Sequence, residues 1–181
     1  MPSLTFNDIQ NFSPIHTTLF VETGTNIGTT VDEVKWSFKH VFSIELDPTL
    51  AQGCKERFTD DTNVTIIQGD SAVVLPYICK TLDEPTFFWL DGHWCGGNTA
   101  KGPLDCPLLH EIKAIMDYCT VECVVAIDDA RLFDTIKDED WSGITIESVV
   151  SIVESRLINL TTYPSDMHPQ DRLILHLKSK V

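Results

Sequence analysis

Residues 17–46, TTLFVETGTNIGTTVDEVKWSFKHVFSIEL, read as one complete strand–helix–strand unit. TTLFVET (17–23) and HVFSIEL (40–46) are short runs rich in β-branched and aromatic residues, the types that suit a buried pleated surface. Between them TTVDEVKWSFK (29–39) carries apolar residues at three- and four-residue steps behind a threonine, which predicts a helix. Strands apolar almost throughout, separated by a helical crossover, predict parallel pairing with both faces of the sheet covered.

The same alternation continues outward. VTIIQG (64–69), TFFWLD (86–91) and ECVVAID (122–128) read as strands, and PTLAQGCKERF (48–58), SAVVLPYICKTL (71–82) and CPLLHEIKAIMDYC (106–119) as helices. Such an order predicts a doubly wound α/β sheet with helices on both faces. After an acidic turn, KDEDWSG (137–143), come a helix, TIESVVSIVESRL (145–157), and two further segments, LTTYP (160–164) and DRLILHLK (171–178). Their short connection predicts an antiparallel pair closing one edge. With 181 residues and 43% hydrophobic content, one domain over 1–181 is expected. It divides into an N-terminal segment (1–16), a core (17–130) and a C-terminal helix with edge strands (131–181). The short N-terminal segment leaves little room for an accessory oligomerisation domain, so a monomer or small homo-oligomer is expected.

Composition excludes several classes of function. The net charge is −14 and only 13 residues are basic, so a nucleic-acid partner is disfavoured. No apolar run approaches the ~20 residues of a membrane span, and MPSLTFNDIQ lacks the pattern of a signal peptide. A soluble, cytoplasmic protein is the expectation. Cys54, Cys79, Cys95, Cys106, Cys119 and Cys123 form no CxxC pair, which predicts reduced core thiols rather than disulfides or a zinc cluster. Cys95, within a glycine-rich loop, reads as a bystander thiol.

In an open α/β sheet ligands bind beyond the carboxyl ends of the strands. Here those ends carry chemistry. The first strand runs into VETGTNIGTT, with Glu22, Gly24, Thr25, Asn26 and Gly28 ahead of a helix start that offers unpaired amides. The dinucleotide pattern GxGxxG is absent. The second strand ends in Glu45, placed to accept hydrogen bonds from a ribose, and the third in Asp70 and Ser71, which read as a helix cap, as adenine contacts, or as both. The fourth ends in Asp91 with His93 just after it, and the fifth in Asp128 and Asp129. Carboxylates gathered on one rim repel unless a cation joins them, and an oxygen-only cluster suits Mg²⁺. The alternative is a helix-capping aspartate and a second paired with Arg131. His93 is a candidate general base, or else a structural hydrogen-bonding group within its loop.

Taken together, VETGTNIG, SIELD, GDS and FWLDGH resemble the motifs of class I S-adenosylmethionine (SAM)-dependent methyltransferases over residues 17–130. Asn26 stands where many members have a middle glycine. The resemblance implies a Rossmann-like, seven-stranded, mostly parallel sheet with an antiparallel edge strand. It also implies SAM as cofactor, bound through Glu22, Gly24, Thr25, Asn26, Gly28, Glu45, Asp70, Ser71 and Asp91. LDG followed one helix later by IDDA is similar to the metal-dependent sugar O-methyltransferases of the macrocin and mycinamicin type. That implies Asp91, Asp128 and Asp129 as ligands of a divalent metal, Mg²⁺ foremost, and His93 as base with Asp91 beside it. The acceptor would be a sugar hydroxyl of a glycan or glycosylated metabolite.

The loop WCGGNTAKGPLD (94–105) is expected to form part of the acceptor pocket or a lid, with Gly96, Gly97 and Gly102 as hinges. Trp94 is a candidate for stacking on a sugar face and Lys101 for reaching a polar group, with loop packing and a solvated charge as their alternatives. His16, His40, His110 and His168 are assigned no role. Three other functions compete with sugar methylation. A catechol-type methyltransferase would carry a lysine base after the fourth strand, where this chain has His93 and Trp94. A non-catalytic SAM or nucleotide binder leaves His93 and the acids unexplained, and a nicotinamide dehydrogenase lacks its glycine signature.

Overall fold

The computed structural model describes residues 4–94, 96 and 100–180. Seven strands form one sheet: β1 (Leu19–Thr23), β2 (His40–Glu45), β3 (Val64–Gln68), β4 (Thr86–Leu90), β5 (Cys123–Ile127), β6 (Leu157–Tyr163) and β7 (Arg172–Leu177). Their order is β3-β2-β1-β4-β5-β7-β6. β1 to β5 are parallel, and β7 runs antiparallel to both β5 and β6. The doubly wound, mostly parallel sheet expected from the alternating pattern is present. Its antiparallel strand β7 lies one place in from the edge, and β6 forms the edge itself.

Among the described residues six α-helices cover the sheet: α1 (Phe6–Phe12), α2 (Thr29–Val34), α3 (Pro48–Arg57), α4 (Ser71–Cys79), α5 (Leu108–Tyr118) and α6 (Ile146–Val153). Strand side chains alternate between two cores. Val21, Phe88 and Val125 face α4, α5 and α6, whereas Phe20, Phe87, Trp89 and Val124 face α1, α2 and α3. On the second face Phe20 stacks on Phe87 at 5.9 Å and tilts against Phe38 at 5.2 Å. β1, β4 and β5 are buried along their whole length, as parallel strands between two helical layers must be. Among the described residues no helix is long and apolar enough to cross a membrane.

Several boundaries differ from the sequence pattern; α4, for one, ends at Cys79 rather than Leu82. α1 was not expected. It is a short helix with a capping box, Thr5 Oγ1 accepting from Asp8 N at 3.2 Å and Asp8 Oδ2 accepting from Thr5 N at 2.9 Å. It buries Ile9 and Phe12, and Phe12 packs on Tyr163 of the edge strand at 4.6 Å. α2 stops at Val34 rather than Lys39, because Phe38 must turn into the core. The Asn63 side chain holds that turn by donating to the carbonyls of Lys35 at 2.8 Å and Phe38 at 3.1 Å.

α6 stops at Val153, and β6 starts at Leu157, earlier than the LTTYP segment implied. The reason is Arg156. Its buried guanidinium donates to the carbonyls of Cys119 (2.6 Å), Val121 (2.6 Å) and Lys178 (2.7 Å), tying the end of α5 to the far side of the sheet. A helical continuation would carry it away from these acceptors. Hydrogen bonds from a charged donor contribute about 1.5–3 kcal/mol each. Arg156→Ala should therefore lower the unfolding free energy by about 3 kcal/mol or more, read as a fall in the urea midpoint. Arg156→Lys, a point charge without the planar fork, should recover only part of it.

Candidate active site

The chain runs outward through β2 and β3 and returns to β4 on the other side of β1, so the carboxyl ends of β1 and β4 mark the point where strand order reverses. Gly24 sits there with φ +86°, and a Cβ on it would press into the Asp91 carbonyl, 2.9 Å from its carbon. Only glycine lets the two tips come this close. Asn26, also left-handed at φ +51°, donates its backbone N–H to Glu45 Oε2 at 2.7 Å. The other Glu45 oxygen accepts from Asp47 N at 2.8 Å. One carboxylate at the end of β2 thus ties the loop after β1 to the start of α3.

Beneath that loop lies a second acid. Glu22 is fully enclosed, accepts a 2.5 Å hydrogen bond from Ser43 Oγ, and Ser43 in turn meets Thr25 Oγ1 at 2.6 Å. Burial pushes the Glu22 carboxyl up to about 8; Asp91 and Glu45 add to this, while bonds from Ser43 and Thr30 oppose it. Glu22 and Thr25 support the loop from below rather than line the space above it.

That space is a cavity of about 340 Å³ at the strand ends. Gly24, Asn26, Glu45, Asp70, Ser71 and Asp91 line it, facing the apolar side chains of Leu46, Leu50 and Leu104. Gly28 caps α2 with φ +77° and stands against Phe58 and Cys54, behind the wall. Asp70 Oδ1 accepts from Ala72 N at 2.9 Å, so the residue caps α4 while its surface borders the cavity. His110, assigned no role from sequence, also borders it.

At the rim, His93 is held on both sides. Nε2 lies 2.7 Å from Asp129 Oδ2 and 3.7 Å from Asp91 Oδ1, and Nδ1 lies 2.8 Å from Glu139 Oε2. Burial opposes the imidazolium, but the bond to Asp129 and the charges of Asp91, Asp129 and Glu139 outweigh it and raise His93 to about 9. In this arrangement the ring keeps its proton near neutrality, and Nε2 can accept one only after it has given its own up. Asp129 also pairs with Arg131, the alternative partner considered from sequence; His93 and Arg131 outweigh burial and hold its carboxyl below the usual range. Arg131 reaches on to buried Asp171 at 2.7 Å, and Arg172 approaches Asp128 at 3.5 Å.

The expected trio Asp91, Asp128 and Asp129 is divided between two groups that share Asp129. Asp91, His93 and Asp129 place ligand atoms within 4.8 Å of one another, and so do Asp128, Asp129 and Asp171. The second group is already served by Arg131. The first has two carboxylates about the imidazole, with Arg131 also on Asp129. Asp128 beside it is raised to about 6 by burial and by Asp129, against the pull of Arg172. The donors fit a hard divalent ion.

Trp94 lines the cavity, and its backbone N–H donates to the Asp105 backbone carbonyl at 2.7 Å. Lys101 lies 4.1 Å from the centre of the Trp94 ring and pairs with Asp105 at 2.7 Å, so its charge is engaged within the loop. Gly96 has φ +82°, with no described atom within 4 Å of where a Cβ would stand, and Gly102 approaches Leu46. Cys95 and Gly97 lie outside the described residues. Cys54, Cys79, Cys106, Cys119 and Cys123 are free thiols.

Four acids in and around this site were not singled out by sequence. Asp105 and Asp171 fix loops, and Glu111 is buried below Gly92 on α5, where burial pushes it up to about 7 against the nearby hydroxyls of Ser71 and Thr23. Glu139 lay in view as part of an acidic turn. Nothing local in KDEDWSG told it apart from the neighbouring acids.

No protein-family model and no curated protein matches the chain. Solved structures do. An O-methyltransferase, TomG of Streptomyces achromogenes, involved in tomaymycin synthesis and solved with SAM, aligns at TM-score 0.62 and 14% identity over 90% of this chain and 74% of its own. The N-methyltransferase NodS of Bradyrhizobium japonicum aligns at TM-score 0.59 and 12% identity over 91% and 87%. An rRNA methylase of Streptococcus thermophilus aligns at TM-score 0.54 and 14% identity over 91% and 88%. The chain has the Rossmann-like class I fold of these SAM-dependent methyltransferases, a fold that accommodates oxygen, nitrogen and RNA acceptors alike.

Glu22 makes a pH-dependent contribution of predictable sign. Its folded value of about 8 exceeds the ordinary 4.5, so the native state holds a proton that the unfolded state has lost. The stabilisation is complete below pH 4.5 and is lost as pH rises through 8. The difference in unfolding free energy between wild type and Glu22→Gln should fall across that window by up to about 1.4 kcal/mol per pH unit, measured by urea titration at several pH values.

Proposed function

We infer that the chain is a SAM-dependent O-methyltransferase that methylates a sugar hydroxyl of a glycan or glycosylated metabolite, helped by a divalent cation and His93. The observation that carries this reading is a juxtaposition: the cavity bordered by Gly24, Asn26, Glu45, Asp70 and Ser71 ends at Asp91, and there His93 and Asp129 begin. A nucleotide binder would need the first set alone. The fold, with its O-methyltransferase neighbour, supports the cofactor class.

In this reading Glu45 meets the ribose, Asp70 and Ser71 border the adenine, and the loop Gly24–Gly28 receives the methionine end, with Glu22 and Thr25 holding its backbone in place. Bound there, SAM would supply a methyl group on a sulfonium sulfur, a leaving group that takes the carbon–sulfur bonding pair. Asp91 and Asp129, with Asp128 beside them, would hold a cation that lowers the pKa of an acceptor hydroxyl. With Asp129 drawn to a cation its hold on His93 would weaken, and Nε2, once it has given its own proton up, would take the hydroxyl proton. Much of the rate enhancement comes from holding the reacting atoms in line.

Calorimetric titration of the metal-stripped protein tests this directly. SAM should bind the wild type, and Mg²⁺ should bind saturably to the wild type but not to Asp129→Ala, the residue common to both acid groups. Failure of SAM to bind would overturn the methyltransferase reading. SAM binding without Mg²⁺ binding would remove the cation and leave activation to His93.

A further inference from the structure

Glu139 belongs to the turn between the 3-10 segment Ala130–Leu132 and α6, far in sequence from His93. Its Oε2 accepts from Trp141 Nε1 at 2.9 Å and meets His93 Nδ1 at 2.8 Å. Trp141 is only 2% exposed, and its ring stands 5.1 Å from the imidazole. The turn is fixed as well: Trp141 N donates to Thr135 O at 2.9 Å, and Asp140 N to Asp105 Oδ2 at 3.2 Å. The carboxylate is therefore held by groups other than the histidine it contacts.

An ionised carboxylate has lone pairs and no proton to give, so the hydrogen in the contact with His93 belongs to Nδ1. We propose that Glu139 is the positioning residue of His93, fixing the ring so that Nδ1 always carries a proton and Nε2 is the nitrogen presented to Asp91, Asp129 and the cavity mouth. This rests on the reading of His93 as the group that handles the acceptor's proton. In the transfer Nε2 first gives its own proton to water; the acceptor O–H bond then breaks and a bond from hydrogen to Nε2 forms, while the oxygen takes the methyl group as that group's bond to the sulfonium sulfur breaks; Nδ1–H is unchanged throughout. Trp141 serves the same end by occupying the second lone-pair direction of Glu139 and walling one face of the ring.

The test is a long-range ¹H–¹⁵N correlation spectrum of the full chain labelled with ¹⁵N in its histidine rings, with His93 identified by the signals lost in His93→Gln. The wild type should show an Nδ1-bound proton on His93 that exchanges slowly with water. Glu139→Gln, whose amide oxygen still accepts, and Trp141→Phe should keep it, whereas in Glu139→Ala its exchange should quicken by about tenfold or more. A wild-type spectrum with the proton on Nε2 and a bare Nδ1 overturns the proposal whether or not any variant folds. So does a folded Glu139→Ala that keeps the slow Nδ1 proton. A merely structural Glu139 would alter Trp141 fluorescence and leave the His93 signals in place. The calorimetric titration with SAM is independent of these signals, so loss of the cofactor reading and loss of the Glu139 assignment remain distinguishable.

Discussion

The backbone contact between Gly24 and Asp91 is the constraint on which the site depends. β1 and β4 are neighbours in register, Thr23 opposite Leu90, and the next residue of each chain must turn away in its own direction. A side chain at Gly24 would occupy the place of the Asp91 carbonyl. Without one, the loop after β1 and the acids after β4 share a single edge of the cavity. Glu45 then holds the loop from the β2 side, and the enclosed set Glu22, Ser43 and Thr25 supports it from below. A polar layer under a backbone loop keeps the amides above it at fixed positions, since each buried polar atom requires its partner.

Beyond that contact the arrangement is governed by charge. Asp91, Asp128, Asp129, Glu139 and Asp171 approach one another at the tips of β4 and β5, and the protein supplies His93, Arg131 and Arg172 between them. The two arginines lie toward Asp128 and Asp171, while the imidazole takes the side nearest the cavity. Arginine keeps its proton in proteins, and histidine can give its proton up. The division places the fixed positive charges behind the rim and the exchangeable proton at its mouth.

Much of the fold could be read from pattern. The strands from Leu19 to Ile127 and the helices between them appear where alternating apolar runs placed them, because a parallel strand buried on both faces leaves a continuous apolar run that no exposed segment resembles. The errors fall at ends. α2 and α6 stop early because Phe38 and Arg156 are needed elsewhere, by a core and by carbonyls that are distant in sequence. α1 escaped notice although Thr5 and Asp8 carry a capping box, since seven residues give periodicity little to act on.

For the site, the boundary between what the sequence determined and what the tertiary structure decided follows the same physical line. Sequence alone placed Gly24, Asn26, Glu45, Asp70, Asp91, His93 and Asp129 at strand tips, because the carboxyl end of each parallel strand is marked by the change from apolar to polar residues, and all tips of such strands lie on one side of the sheet. It could not say that Asp91 and Asp128 would meet only through Asp129, or that Glu139 would reach His93 from a turn 46 residues away. Those pairings depend on how far apart adjacent strand ends stand and on which loop folds back over them. Such distances are set by the twist of the sheet and by the packing of Trp141, and no local run of residues encodes them.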